Sequence, residues 1–349
     1  MKSHGYAALD AKSPLGPFSF DRRDPGPGDV VVEIDYCGIC HSDIHQARNE
    51  WDNSIYPMVP GHEILGRVTA VGREVKKFKE GDLAGIGVMV DSCRVCENCR
   101  AGEEQYCEKG FVGTYNALGY DGAPVYGGYA NNIVCDERYV HTLSPKFGDK
   151  LPAVAPLLCA GITTYSPLKH WKVGPGKKVG IIGLGGLGHM GLKFAHAFGA
   201  HVVQFTHSAR KIDDAKKLGA DEVVVSTDPD AMAKQKGSFD FLLDCVSAPH
   251  SVDDYLALLK LNGAMCLVGL PETPLTISPF TIIGNRRSFA GSMIGGMPET
   301  QQMLDWCAEN GVVSEIELTA IDKVNEAYER VMTGDVKYRF VIDMKTLKR

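Results

Sequence analysis

The chain has 349 residues, of which 44% are hydrophobic and 23% are charged, as in ordinary globular proteins. This length exceeds what one typical core accommodates, so two domains are expected. The net charge of -6 leaves no basic footprint for nucleic acid, and glycine interrupts the longest apolar runs, which excludes a membrane span.

Eleven cysteines are a large and odd number for a chain of this kind. Residues 1–6 contain no apolar stretch of the type that a secretory signal needs, so we expect a cytoplasmic protein. Thiols stay reduced in that compartment. Metal binding or catalysis therefore explains the cysteines better than disulfide bonds do.

The first 150 residues predict a mostly β domain with long loops. They are rich in glycine and in β-forming residues, as in segments 29–34 and 66–72, and turn signals such as 25–28 separate the strands.

From residue 151 the pattern changes to alternating strands and helices, which is typical of a doubly wound parallel sheet. The fold class is thus α/β, with a cofactor domain at 151–289 and a first domain comprising 1–150 and 290–349. The predicted strands of the cofactor domain are 178–182, 201–205, 222–225, 239–244 and 264–269, with helices at 187–198 and through 215–218. In the tail, amphipathic helices near 299–310 and 322–333 precede a last strand at 338–342, which we expect to return to the first domain.

Four cysteines of one polar loop, Cys93, Cys96, Cys99 and Cys107, form the pattern C-x2-C-x2-C-x7-C. Short spacings let consecutive thiolates turn onto one ion, and four sulfurs complete a closed tetrahedral shell around zinc. Such a shell has no open position, so we predict a structural zinc site. Four unconnected cysteines and an iron–sulfur cluster are the alternatives, but the sequence offers a cluster no electron-transfer role.

A second group of metal-ligating residues is scattered over segments 37–45, 61–63 and 159–161. A catalytic zinc ion keeps three protein ligands and one open position, and two cysteines with one histidine are a known set. Together with the quartet, these segments resemble the zinc-dependent medium-chain alcohol dehydrogenase family over essentially the whole chain. The matching motifs are Gly61-His62-Glu63-x-x-Gly66-x-Val68-x-x-Val71-Gly72, Cys159-Ala160-Gly161-x-Thr163-x-Tyr165 and Gly183-x-Gly185-Gly186-x-Gly188.

Within that family, segments 40–45, 156–165 and 291–295 are most similar to the cinnamyl alcohol dehydrogenase branch, and especially to its bacterial NADP-dependent aldehyde reductases. The resemblance implies a GroES-like catalytic domain, which binds zinc, and a Rossmann domain, which binds NADP.

The resemblance also implies four ligands of a catalytic zinc ion, the last of them transient: Cys40, His62, Cys159 and Glu63. Asp43 would orient the His62 imidazole, as metal-bound histidines generally require. Cys37, three residues before Cys40, is expected to be a small buried residue, because the family motif places the ligand at the second cysteine.

Ser42 and His45 resemble the proton relay of the family, which connects the substrate oxygen to bulk water. A dry pocket needs such a path, and a hydroxyl with an imidazole can provide it. The alternative for His45 is a surface histidine on a helical turn. We predict that Trp51 lines the substrate channel, with a core tryptophan as the alternative.

The glycine-rich segment 183–188 follows a predicted strand and opens a predicted helix. Its glycines permit a tight turn and a close backbone approach, and the helix N-terminus would meet the cofactor pyrophosphate. The residues of this segment expected to contact the cofactor are Gly183, Gly185, Gly186, Leu187 and Gly188.

The end of the second strand distinguishes NAD from NADP, because an NAD site places an acidic residue there on the ribose 2′-hydroxyl. Here the chain reads Phe205-Thr206-His207-Ser208-Ala209-Arg210-Lys211 and has no acid. Hydroxyl groups and two cations are available for a 2′-phosphate, so we predict NADP(H). A solvated charged turn is the alternative, and it leaves the missing acid unexplained. The expected contacts are Thr206, Ser208, Arg210 and Lys211.

The resemblance implies further cofactor contacts outside these segments. His41 and Arg339 occupy positions that contact the pyrophosphate in the family, and the turns that contain Val268 and Ser292 would flank the nicotinamide. Thr163 is expected to belong to the same set.

These observations predict reversible hydride transfer between NADPH and an aldehyde, which gives a primary alcohol, with two zinc ions per chain. A polyol or secondary-alcohol dehydrogenase is the nearest alternative, but those enzymes often replace the third cysteine ligand with a carboxylate. Zinc-free quinone or enoyl reductases would lack the quartet, and an NADPH-binding zinc or redox regulator would not need the relay. Trp51 and Ile294 suggest an apolar substrate, aliphatic or aromatic, which the sequence does not identify.

Segment 281–296 resembles the edge-strand region through which family members join their cofactor-domain sheets. Because an unpaired sheet edge tends to pair with another chain, we predict a homodimer. We expect neither nucleic acid nor a membrane as a partner.

Overall fold

A computed structural model of the chain describes residues 1–271 and 273–348. The chain divides into two compact units, one formed by Met1–Cys159 with the segment from Gly295 onward, the other by Ala160–Ile294. Within the described residues, no single helix has the length and apolar composition to cross a membrane. One bent pair of helices, Pro145–Leu158 and Ala160–His170, passes that test only when taken together.

The secondary structure consists mostly of short strands and short helices. The strands are β1 (Lys2–Ala7), β2 (Gly16–Asp21), β3 (Asp29–Gly38), β4 (Ile64–Val71), β5 (Leu83–Ile86), β6 (Met89–Asp91), β7 (Val112–Gly113), β8 (Ala117–Leu118), β9 (Pro124–Val125), β10 (Asn132–Asp136), β11 (His141–Thr142), β12 (Lys178–Ile182), β13 (His201–Thr206), β14 (Glu222–Val225), β15 (Phe239–Asp244), β16 (Leu259–Leu267), β17 (Ser288–Gly291), β18 (Ile316–Ala320) and β19 (Arg339–Asp343). The α-helices are α1 (His41–Ala47), α2 (Glu97–Arg100), α3 (Ala160–His170), α4 (Gly188–Ala197), α5 (Ile212–Lys217), α6 (Pro229–Ala233), α7 (Val252–Leu256), α8 (Pro279–Ile283), α9 (Met297–Asn310) and α10 (Val324–Met332). Segments of 3-10 helix lie at Glu104–Tyr106, Glu137–Tyr139, Pro145–Leu158, Ala209–Lys211, Ile321–Lys323 and Met344–Thr346.

The first unit is built on a mixed sheet with the strand order β11-β5-β4-β3-β19-β18, in which β10 also pairs with β3. β3 contains a run of β-branched residues, of which Val30 and Val32 are fully buried. β19 pairs antiparallel with β3, with Ile342 opposite Cys37. The tail therefore returns to the first unit, as the sequence predicts.

The second unit contains a parallel sheet with the strand order β14-β13-β12-β15-β16-β17. Because β12 comes first in the chain, the order reverses between β12 and β15, which is the doubly wound arrangement. Its central strands are buried on both faces: Val202, Val203, Leu242 and Leu243 have no exposed surface. The predicted Rossmann-type sheet is confirmed.

One strand of that sheet is longer than the sequence predicts. β16 begins at Leu259, five residues before the predicted start at 264, and ends at Leu267. Its first half exposes residues 260–262, and Asn262 has a left-handed φ of 63°. The pairing with β15 is also irregular between Phe239 and Phe241. The apolar pattern that identifies a buried strand therefore begins only after Gly263.

His141 in β11 is a buried histidine outside the candidate site. It is 2% exposed, and its Nδ1 atom has no hydrogen-bond partner among the described residues. Burial and, to a smaller extent, the neighbouring Lys77 ammonium lower the pKa of His141 to about 3. A histidine in an unfolded chain has a pKa of about 6.5. Between those two pKa values the unfolded chain binds a proton that the folded chain does not, so stability falls as the pH falls through this window.

We expect His141→Gln, which keeps a polar side chain but cannot titrate, to weaken this pH dependence. Between pH 6.5 and 5.0 the wild-type chain should lose about 1.5 kcal/mol more unfolding free energy than the variant. Urea unfolding of both proteins at each pH measures the difference, and effects common to both proteins cancel. Equal losses in the two proteins would show that His141 is not the titrating group.

Candidate active site

The candidate ligands meet where two neighbouring strands of the first sheet adjoin. β3 ends at Gly38, and Cys40 follows as the N-cap of α1. His62 and Glu63 directly precede β4, the antiparallel neighbour of β3. The Gly38 N–H donates to the Glu63 carbonyl over 3.0 Å. The pairing of β3 with β4 therefore brings Cys40 next to His62, although they are far apart in the sequence.

Cys159, at the end of the helical segment Pro145–Leu158, completes this group. One donor atom from each of Cys40, His62, Glu63 and Cys159 lies within 4.8 Å of the other three, and all four residues are buried. The Cys40 and Cys159 sulfurs are 3.9 Å apart. Two sulfurs bound to one tetrahedral zinc ion would be about 3.8 Å apart, so this donor set fits zinc.

The two thiols are placed so that they share one negative charge. The hydrogen bond from Cys159 lowers the pKa of Cys40 well below its ordinary value, and the same contact raises the pKa of Cys159. A second thiolate in this buried position would be costly without a cation. A divalent cation removes that cost, because metal binding deprotonates cysteine ligands.

Asp43 connects the start of α1 to the candidate ligand His62. Its Oδ2 accepts the Cys40 N–H over 2.8 Å, which caps the helix. Its Oδ1 accepts the Gly61 N–H over 3.0 Å and lies 3.1 Å from His62 Nδ1. Because Nδ1 faces the carboxylate, Nε2 is the nitrogen left for a metal ion.

Glu63 forms a buried ion pair with Arg339. Glu63 is 0% exposed and Arg339 is 3% exposed. Burial raises the pKa of Glu63 to about 8, although the Arg339 guanidinium lowers it. The family resemblance implies that Arg339 contacts the cofactor pyrophosphate. In the structure, Arg339 pairs with Glu63 at the candidate metal site. The pyrophosphate contact and the transient ligand role of Glu63 stay predictions.

The predicted relay residues lie on α1 beside the cluster. Ser42 Oγ is 3.6 Å from the Cys40 sulfur. His45, further along the helix, forms a hydrogen bond through Nδ1 with Glu50. The His45 ring stacks on half-buried Trp51, with 5.1 Å between the ring centroids and an interplanar angle of 29°. Trp51 therefore contacts the predicted relay histidine, and its contact with substrate stays a prediction.

The cysteine quartet converges in the loop between β6 and β7. One sulfur from each of its four members lies within 4.8 Å of the others, and the Cys93 and Cys99 sulfurs are 3.9 Å apart. The backbone N–H groups of Cys93, Cys96 and Cys99 donate to the sulfurs of Cys107, Cys93 and Cys96 over 3.3, 3.4 and 3.4 Å. Such contacts stabilise thiolates, and four sulfurs leave no position for a substrate.

The glycine-rich loop of the second unit joins β12 to α4. Gly183 has a φ of +87°, which side chains rarely adopt. A Cβ atom at Gly188 would lie 1.9 Å from the Gly183 carbonyl oxygen. Glycine is therefore required at both positions. α4 begins at Gly188, and the N–H groups at its start are suited to bind an anion.

The turn after β13 holds the predicted 2′-phosphate contacts. Thr206 is buried, and its Oγ1 accepts the Ser208 N–H over 3.3 Å. Arg210 is exposed. Lys211 donates from Nζ to the Leu184 carbonyl over 2.7 Å, and burial lowers the pKa of Lys211. Lys211 thus connects this turn to the glycine-rich loop.

The remaining residues predicted to contact cofactor or substrate lie in several different elements. Thr163 is buried in α3, and His41 is exposed at the first position of α1. The Val268 N–H donates to the Asp244 carbonyl over 2.9 Å, and the Ser292 N–H donates to the Leu267 carbonyl over 3.2 Å. Ile294 is 8% exposed. Their contacts with cofactor or substrate stay predictions.

Three buried tyrosines beside Asp43 and His62 were missed by the sequence analysis. The Tyr115 ring stacks on His62 with 5.6 Å between centroids. The Tyr129 hydroxyl donates to Asp43 Oδ2 over 3.4 Å, and the Tyr328 hydroxyl donates to that of Tyr129 over 3.5 Å. Only the glycine pair before Tyr129 signals a close backbone approach there.

Comparison with known proteins finds two family matches along the chain. Residues 26–145 match the alcohol dehydrogenase GroES-like domain, and residues 186–309 match the zinc-binding dehydrogenase family. The Escherichia coli protein named aldehyde reductase YahK is 58% identical over 351 aligned residues, which cover 99% of each chain. NADP-dependent alcohol dehydrogenase C 1 of Mycolicibacterium smegmatis is 54% identical and covers 98% of each chain.

Two solved structures share the fold at substantial identity. The cinnamyl alcohol dehydrogenase SbCAD4 of Sorghum bicolor superposes with a TM-score of 0.97 at 45% identity, over 100% of this chain and 99% of that one. The Helicobacter pylori CAD, solved in complex with NADP(H), gives a TM-score of 0.94 at 44% identity with the same coverage. Because relatives that are more than half identical span nearly the whole sequence, the chain belongs to the zinc-binding medium-chain alcohol dehydrogenase family.

Proposed function

We propose that this chain is an NADPH-dependent aldehyde reductase, which converts an aldehyde reversibly into a primary alcohol. The observation that carries the proposal is the buried set of Cys40, His62 and Cys159 donors, with the Ser42 hydroxyl beside it. Relatives named aldehyde reductase and NADP-dependent alcohol dehydrogenase support the substrate class and the cofactor.

Zinc held by Cys40, His62 and Cys159 would supply Lewis acidity toward the substrate oxygen. The chain's own residues then manage the proton. Ser42 Oγ, 3.6 Å from the Cys40 sulfur, can hold the proton that the product oxygen receives. His45 can replace that proton from solvent, while Glu50 and Trp51 fix the orientation of its ring.

The structural zinc ion would be held by the quartet, where it supports the loop between β6 and β7. The backbone N–H groups that donate to these sulfurs favour the thiolate form that a metal requires. Two zinc ions per chain, with different roles, are therefore part of the proposal.

The cofactor preference is supported by the turn after β13. Residues 206–211 contain no acid, while Thr206, Ser208, Arg210 and Lys211 offer hydroxyl groups and cations. A 2′-phosphate would meet hydrogen-bond donors there and no repelling carboxylate.

We also infer a homodimer, formed at the edge of the parallel sheet. β17 is the last strand in that sheet, and α8 precedes it in the chain. α8 leaves Phe280 83% exposed and Ile283 70% exposed. A sheet edge that ends at this strand, with exposed apolar side chains in the preceding helix, is suited to a second copy of the chain.

We place the enzyme in the cytoplasm. None of the eleven cysteines forms a disulfide bond within the described residues. A chain that depends on reduced thiols for two metal sites is suited to a reducing compartment.

Replacing the third zinc ligand tests the proposed function. Cys159→Ala should lower kcat/KM for aldehyde reduction at least about a thousandfold, because loss of zinc removes several kcal/mol of charge stabilisation. Absorbance at 340 nm measures turnover, and metal analysis should give one zinc ion per chain in the variant and two in the wild type. Cys37→Ala is the matched control, since Cys37 is buried nearby but lies outside the donor cluster. Turnover retained in Cys159→Ala would contradict the ligand assignment.

Restoring an acid after β13 tests the cofactor preference. The wild-type enzyme should favour NADPH over NADH in kcat/KM, and Ser208→Asp should lower that ratio by about a hundredfold, because like charges in contact cost several kcal/mol. Ser208→Asn is the control, because asparagine has nearly the same shape as aspartate and no charge. A wild-type enzyme that uses NADH as well as NADPH would overturn the assignment.

Light scattering tests the dimer. The wild-type chain of 37.9 kDa should give twice that mass, and the double variant Phe280→Glu and Ile283→Glu should give the monomer mass. Leu9→Glu, at a residue of the first unit that is 60% exposed, should leave the dimer intact. A monomer mass for the wild type would refute this inference.

A further inference from the structure

Gln204 is a fully buried polar residue in the interior of the parallel sheet. It lies in β13 and is 0% exposed. Its Nε2 atom lies 3.0, 2.9 and 2.9 Å from the carbonyl oxygens of Ile181, Gly183 and Phe205, and its two N–H groups are shared among these three acceptors. Its Oε1 atom has no partner among the described residues. Burying an unpaired amide oxygen is unfavourable. The hydrogen bonds from its amide nitrogen are therefore what distinguishes Gln204 from an apolar residue at this position.

The Gly183 carbonyl, which Gln204 contacts, opens the glycine-rich loop and is enclosed on two sides. On one side it accepts from Gln204, and on the other it packs so close to Gly188 that no side chain fits between them. The Gly183 N–H donates to the Phe205 carbonyl over 3.0 Å, and the same carbonyl also accepts from Gln204. Gln204 and β13 therefore hold both polar groups of Gly183.

The next two carbonyls of the loop are also held by the chain's own donors. The Leu184 carbonyl accepts from Lys211 Nζ over 2.7 Å. The Gly185 carbonyl accepts the His189 N–H over 3.0 Å and lies 3.1 Å from His189 Nδ1. Three successive carbonyls thus have fixed directions.

The direction of each carbonyl also fixes the direction of the next N–H group. A trans peptide is planar, so the N–H of one residue points opposite to the carbonyl of the residue before it. The N–H groups of Leu184, Gly185 and Gly186 are therefore directed away from the donors that hold the carbonyls. N–H groups arranged in this way are suited to bind the oxygens of a pyrophosphate.

We propose that Gln204 is a positioning residue for the cofactor, an inference that rests on the NADP(H)-dependent function proposed above. Its side-chain amide fixes the Gly183 carbonyl and thereby presets the loop N–H groups for the pyrophosphate. Without that amide, the buried carbonyl loses its donor from β13 and the first peptide of the loop is free to rotate. The cofactor must then order the loop when it binds, which lowers affinity.

Gln204→Met tests this proposal, because methionine has a similar length and no donor. The dissociation constants of NADPH and NADH are measured by quenching of protein fluorescence, together with kcat at saturating NADPH and the zinc content. Both dissociation constants should rise by about tenfold, and by the same factor, since one lost hydrogen bond to a buried carbonyl is worth about that much and the two cofactors share the pyrophosphate. The kcat value and the two zinc ions per chain should be unchanged.

Val202→Ala is the matched control, because Val202 lies on the same face of β13, two residues before Gln204, and is equally buried. It removes buried apolar volume, so its melting temperature should fall while both dissociation constants stay within twofold of the wild type. This separates a loss of positioning from a general loss of stability. If Gln204→Met does not fold, Gln204→Val is measured in the same way with the same expectation, since valine suits a buried strand.

Cofactor affinities within twofold of the wild type in the folded variant would overturn the proposal. A loss confined to NADPH would also overturn it, because the effect would then lie at the 2′-phosphate. If the wild-type protein itself binds no NADPH, the proposed function fails and this inference fails with it. If the wild type binds NADPH and the variant binds it equally well, only the role of Gln204 fails.

Discussion

The candidate active site depends on two buried sulfurs that cannot both carry charge without a cation. Cys40 and Cys159 come from segments 119 residues apart in the chain and place their sulfurs 3.9 Å apart. Their opposite pKa shifts describe a pair that holds one proton between its members. Two adjacent anions in a buried site are unfavourable, and a divalent cation makes the same arrangement favourable. The buried donor set is therefore a site that zinc would stabilise.

The two buried acidic residues beside the thiols, Asp43 and Glu63, each contact polar or charged groups of the chain. Asp43 accepts from two backbone N–H groups and faces His62, so its buried carboxylate is satisfied while it orients the imidazole. Glu63 is paired with Arg339, whose guanidinium opposes the rise that burial causes in the pKa of Glu63. Each carboxylate thus has a fixed partner, as buried charges require. These contacts hold Asp43 and Glu63 in fixed positions beside the candidate zinc ligands.

The proposed cofactor site of the second unit has the opposite electrostatic requirement, because there an uncharged backbone would bind an anion. Gln204, Lys211 and His189 contact successive carbonyls of its glycine-rich loop, which leaves the intervening N–H groups directed the other way. Glycine at 183 and 188 is required by the backbone conformation and by the close approach of the two residues. Gln204 contributes in a different way, since a side chain of the neighbouring strand shapes a loop that it does not belong to.

The sequence by itself determined the features that depend on residue types at short intervals along the chain. Each of these features lies within a short segment, so residue types and intervals were sufficient to predict it. They are the cysteine quartet from Cys93 to Cys107, the glycines from Gly183 to Gly188 and the apolar strands of the parallel sheet. Only the tertiary structure decided which distant side chains meet. The pairing of Arg339 with Glu63, the tyrosines around Asp43 and the reach of Gln204 to Gly183 depend on strand pairing and on side-chain direction. These contacts join residues with no fixed spacing in the chain. The sequence around a buried tyrosine, arginine or glutamine does not identify its hydrogen-bond partner.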